Sequence, residues 1–209
     1  MGAIYNRYAG QDVGRIAALS DGIFAVAMTL LVLEIHIPER ADIHSEAELW
    51  AGLAALAPRA IAWLTSLMTL GIFWLGQQTQ ISHLARADRN LSWLHFVFLA
   101  VITVLPFSTR LLAEFFTYQA AFFLYWFNIL LCGATLMFCW AYAERAGLVD
   151  ANAPPGISRA VYRRIVIAQA LYAIGALVGF VSVPWGVAII IAIQLNYAIA
   201  PRLPGLWKL

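Results

Sequence analysis

RIAALSDGIFAVAMTLLVLEIHIP, Arg15 to Pro38, decides how the rest of this chain is read. An arginine opens the stretch, Ser20 and Asp21 follow as a pair, and no charge interrupts it from Gly22 to Leu33. Counted through Ile37, the apolar run is about 16 residues, or roughly 24 Å of α-helix at ~1.5 Å per residue. With interfacial flanks this approaches the ~30 Å hydrocarbon core of a bilayer. The stretch reads as a membrane-spanning helix over residues 16–37, with a carboxylate set into its first turns.

Angles say more than hydropathy here. At about 100° per residue, Leu19, Val26, Leu30, Leu33 and Ile37 fall on one narrow stripe, with Gly22 and Thr29 at its edge. Ser20 and Asp21 point away from that stripe, to opposite flanks. A helix touching only lipid has no reason to sort its polar and apolar groups this way; a helix with one face on a pore and another on protein does. The competing reading is a buried bundle helix whose Leu/Val stripe is ordinary packing.

Composition supports a membrane protein. The chain has 209 residues, 63% hydrophobic and 11% charged, against about 25% charge in an ordinary soluble domain. Mean hydropathy is +0.79. A net charge of +2, with no basic patch interleaved by aromatics, gives no reason to expect a nucleic-acid partner. Cys132 and Cys139 are seven apart on one helix face and read as buried thiols. The four histidines are scattered and no CxxC or HExxH occurs, so neither metal nor cofactor is expected. No nucleophile elbow, phosphate loop or carboxylate pair at catalytic spacing is present, and an enzyme is not expected.

The remaining apolar segments fall near 49–77, 91–112, 119–143, 159–180 and 184–200. The expected fold is thus an all-α, single-domain membrane protein over residues 1–209 with six transmembrane helices. Pro106 should kink the third segment by freeing a carbonyl. Ser158 is a plausible N-cap for the fifth. Arg7, Arg15, Arg86, Arg89, Arg145, Arg159, Arg163, Arg164, Arg202 and Lys208 lie on one side of such a bundle. The positive-inside rule then puts both termini in the cytoplasm and the acidic linker 38–48 outside.

Intramembrane ionisable groups are functional candidates by default, and here they are few. Asp21 lies about one turn inside helix one, six residues from Arg15, so the two are not an i,i+4 pair. Gln77, Gln78 and His95 lie at comparable depth. They could tie helices one, two and three into a hydrogen-bonded knot; alternatively Asp21 relays protons in a transporter. No TVGYG filter exists, so a cation path would need another constriction. Rings of Val26, Leu30 and Leu33 from several copies could dewet a narrow pore, with the Thr29 hydroxyl beside them to coordinate a dehydrating ion. The alternative for Thr29 is a back-bond to the Ala25 carbonyl.

R-x-x-x-L-S-D-G at Arg15, Leu19, Ser20, Asp21 and Gly22, followed by IFAVAMTLLVLEIHIP, resembles the signature of the transmembrane protein 175 family of potassium channels, in its bacterial branch. The likeness continues through GIFWLGQQ (71–78) and LPFST (105–109). It implies a homotetramer in a bacterial inner membrane, with helix one of each subunit lining a central pore for K+. It implies apolar rings at Val26, Leu30 and Leu33 and a selectivity hydroxyl at Thr29. Arg15, Ser20 and Asp21 would hold helix one against its neighbours. Three positions depart from the family pattern: Leu19 stands for its phenylalanine, Gln77-Gln78 where histidine often occurs, and His95 where asparagine often occurs.

Overall fold

The computed structural model describes residues 10–36, 40 and 43–199. Ile37 of the expected stripe, Arg7 and the tail after Pro201 lie outside the described residues. Eight helices follow in order among the described residues: α1 Val13–Val32, α2 Glu46–Ala55, α3 Ala57–Ile81, α4 Arg89–Thr103, α5 Leu105–Glu114, α6 Gln119–Arg145, α7 Ile157–Gly179 and α8 Val183–Ile199. Among the described residues, five spans are long and apolar enough to cross a membrane: α1, α3, α4–α5 taken together, α6 and α7. At 17 residues, α8 is shorter, about 25 Å long.

Local chemistry explains most boundaries. Asp12 caps α1 by accepting from the Arg15 amide at 3.2 Å, so the helix starts three residues before the expected position 16. It stops at Val32, short of 37: Leu33, Glu34 and Ile35 bond back to Leu30, Leu31 and Val32, an i→i−3 pattern that tightens the last turn. The expected second segment, 49–77, is two helices. Pro58 sits in the first turn of α3, where its missing N–H costs nothing, and α2 stands before it with its own Ser45–Glu48 capping box and no buried residue. The third segment breaks at Val104, two residues before Pro106. Ser158 is not the cap of α7; the helix begins at Ile157 after Gly156, whose φ of +90° favours glycine.

The helices run up and down. At one end, which carries Arg86, Arg89, Arg145 and Arg159, the loops are sewn together. Ala85 donates to the Leu148 carbonyl and Asp150 to the His83 carbonyl, both at 2.9 Å, around an antiparallel Leu84–Val149 bridge. Asp88 caps α4 through the Leu91 amide and also accepts the Tyr142 hydroxyl of α6 at 2.7 Å. At the opposite end, Arg59 pairs with Glu114 at 3.0 Å and Arg110 with Glu34 at 3.4 Å.

Between membrane helices the hydrophobic effect supplies little, so close packing and polar bonds hold the bundle. Phe24 of α1 lies 6.1 Å from Phe98 of α4, among Leu31, Leu70, Leu91 and Ile102. The α7–α8 pair closes on glycine: a Cβ at Gly186 would stand 2.8 Å from the Phe122 ring and 2.9 Å from the Gly179 Cα. Cys132 and Cys139 are buried free thiols on α6. A second polar set ties four helices. Thr109 donates to Ser66 at 2.6 Å, Ser66 to the Tyr125 hydroxyl at 3.2 Å, and Gln194 to Thr69 at 2.7 Å.

Candidate functional site: the exposed stripe of helix α1

The two sides of α1 differ. Ile16, Ser20, Phe24, Ala27 and Leu31 are buried against α3, α4 and α5. On the other side Leu19, Val26, Leu30 and Leu33 are exposed by 50, 57, 44 and 66%. The apolar stripe is therefore not core packing within the protomer. Beside it a groove of about 410 Å³ runs between α1 and the break after α4, lined by Leu19, Gly22, Val26, Leu30, Thr103 and Pro106. The Pro106 break thus leaves open space next to the stripe.

Two flanks pin α1 in rotation. Ser20, fully buried, donates to the Ile16 carbonyl at 2.8 Å and accepts from the Gln77 amide at 2.7 Å. On the other flank Asp21 accepts from the Trp74 indole at 2.8 Å and from the Gln78 amide at 2.7 Å. All three donors lie within about one turn of α3, so the Ser-Asp pair grips two faces of one neighbour. Trp74 escaped the sequence reading, although Trp74 and Gln78 share an i,i+4 face that could have revealed it.

His95 does not join this grip. Its Nδ1 bonds to the Leu91 carbonyl of its own helix at 3.1 Å. A carbonyl only accepts, so Nδ1 carries the proton, and Nε2 is buried with no partner among the described residues. The side chain of Arg15 is exposed at the start of α1, while its amide serves the Asp12 cap. Thr29 donates to the carbonyls of Ala25 at 3.0 Å and Val26 at 2.9 Å. Its proton is thus spent on the backbone, and the oxygen lone pairs are left on the exposed side.

Comparison with known proteins settles the family. The family model described as endosomal/lysosomal potassium channel TMEM175 matches residues 15–106, from the motif arginine to the proline of the break. A potassium channel of Streptomyces collinus is 32% identical over 178 residues, covering 83% of this chain and 85% of the relative. The chain belongs to the TMEM175 family. A potassium channel of Chamaesiphon minutus is 29% identical over 90% of this chain and 94% of its own. The crystal structure of a lysosomal potassium-selective channel TMEM175 homolog from that organism superposes with a TM-score of 0.76 at 27% identity, over 91% of this chain and 98% of that one. The human endosomal/lysosomal proton channel TMEM175 is 31% identical over 106 residues, which are 21% of its length. The family is one of channels, not enzymes, and its members are multi-pass membrane proteins.

Proposed function

We propose that this TMEM175-family protein is a potassium-favouring cation channel without a TVGYG filter, its constriction built by α1. The observation that carries the reading is the sidedness of α1: a helix pinned on two flanks to α3 presents branched aliphatic side chains outside its own protomer. Copies arranged about a closed symmetry axis would bring those stripes face to face. Four copies are proposed, by likeness to the family. Val26, Leu30 and Leu33 then stack as three apolar rings, which narrow the path and gate it by dewetting. Thr29 stands between Val26 and Leu30 with its lone pairs outward and replaces part of the hydration shell of a passing K+. Ser20 and Asp21, held by Gln77, Gln78 and Trp74, are assigned to the support of α1. Six membrane passes per subunit, with α8 as the sixth, put both termini on the cytoplasmic side of a bacterial inner membrane, the arginine-rich end inward.

The human and mouse relatives are named proton channels, which favours a second reading, proton passage, for which Asp21 is the candidate group. The two separate in one experiment. Protein reconstituted in planar bilayers is held under opposed K+, Na+ and pH gradients. A channel of the first kind shows unitary currents whose reversal potential follows the K+ gradient. A reversal potential that follows pH, and moves when Asp21→Asn is introduced, supports the second.

A further inference from the structure

Away from α1, a narrow cleft of about 80 Å³ runs between α3, α6, α7 and α8. Ile72, Leu136 and Ile165 are among its apolar walls. Its polar groups are stepped along α7. Arg164, stacked 5.5 Å over the Tyr197 ring, stands at the level of Gln80 near the arginine-rich end. Gln169 lies over one turn further in, and Tyr172 about 12 Å from Arg164 along the helix. Gln80 Oε1, Gln169 Oε1 and the Tyr172 hydroxyl are all buried and have no partner among the described residues. Gln80 is 3% exposed and Tyr172 1%. Gln169 is held in place: its amide lies over Gly133, where a Cβ would overlap it, and its Nε2 donates to the Ile129 carbonyl at 3.3 Å. Gln194, whose Oε1 is also unpaired, does not line the cleft; its Nε2 donates to Thr69 at 2.7 Å.

A buried polar atom with no partner loses its hydrogen bond to water and gains none in return. Three of them around one cleft call for an occupant that both donates and accepts. We propose that the cleft is a water site: a file of about three waters, at a liquid share of ~30 Å³ each, reaching from Arg164 to Tyr172. Waters donate to Gln80 Oε1 and Gln169 Oε1, and the innermost meets the Tyr172 hydroxyl. The file ends there, since the hydroxyls of Ser66, Thr69 and Tyr125 beyond it already bond one another. With the Arg164 guanidinium at its mouth, the cleft admits water and repels K+. It hydrates the protomer without conducting.

The test is hydroxyl-radical footprinting of the intact channel in lipid nanodiscs, read by mass spectrometry at single tyrosines. Tyr125 is the internal control, equally buried but not among the residues that line the cleft. Tyr172 is expected to be labelled about tenfold faster than Tyr125, because radicals arise from water beside it. Ala168→Leu, which fills the cleft, should bring Tyr172 down to the Tyr125 rate. Equal labelling of Tyr172 and Tyr125 in the unaltered channel overturns the proposal. So does labelling of Tyr172 that persists at full rate in a folded Ala168→Leu channel.

Discussion

Asp21 and Thr29 show how one residue divides its work. Asp21 accepts two side-chain donors of α3, and interhelical bonds in membranes average about 0.6 kcal/mol each. Asp21→Ala should therefore cost about 1 kcal/mol and lower the yield of assembled channel, with K+ over Na+ preference unchanged in what assembles; size-exclusion yield and bi-ionic potentials check both. Thr29→Val keeps the side-chain shape and loses only local back-bonds. Stability should change by less than about 0.5 kcal/mol, while K+ over Na+ preference falls severalfold. Unaltered bi-ionic potentials in Thr29→Val would remove Thr29 from the ion path. The sequence exposed the stripe and the flanking placement of Ser20 and Asp21 because a 3.6-residue period maps directly onto a helix surface. It hid the fate of His95. A histidine at the right depth can bond its own helix as readily as a neighbour, and depth alone does not separate the two.

Among the elements, breaks and close contacts matter most. Gly186 leaves no room for a Cβ between Phe122 and Gly179, so Gly186→Ala should destabilise the α7–α8 pair by about 1–3 kcal/mol. A thermal melt in detergent reads that loss; an unchanged melt would mean that α8 shifts freely. Pro106 was legible as a kink because proline cannot donate to the carbonyl one turn back. Pro58 marks a helix start by the same rule, yet continuous apolar sequence on both sides of it masked the division into α2 and α3. The cap at Gly156 replaced the expected Ser158 because a left-handed residue was needed there. The Ser66–Thr69–Thr109–Tyr125–Gln194 cluster was not legible at all. Its members come from four helices, and no spacing along one chain encodes their meeting.

For the whole molecule, the all-helical membrane architecture was readable from composition, and the family from the motif around Asp21 together with GIFWLGQQ and LPFST. What covers the exposed stripe of α1 is not specified by the pattern within one chain. If the α1 stripes meet at an axis, Leu30→Ala and Leu33→Ala should widen and wet the constriction. K+ flux from liposomes should then rise severalfold in well-folded assemblies; unchanged or lower flux would place the gate elsewhere.

The most direct measurement is Ag+ block of single Leu30→Cys channels. Ag+ is a monovalent cation that follows the K+ path and binds thiolate irreversibly, and the native thiols Cys132 and Cys139 are buried away from it. Unitary K+ currents of Leu30→Cys should vanish within seconds of adding Ag+, while unaltered channels go on conducting. Currents of Leu30→Cys that persist in Ag+ as in the unaltered channel would contradict a pore lined by α1.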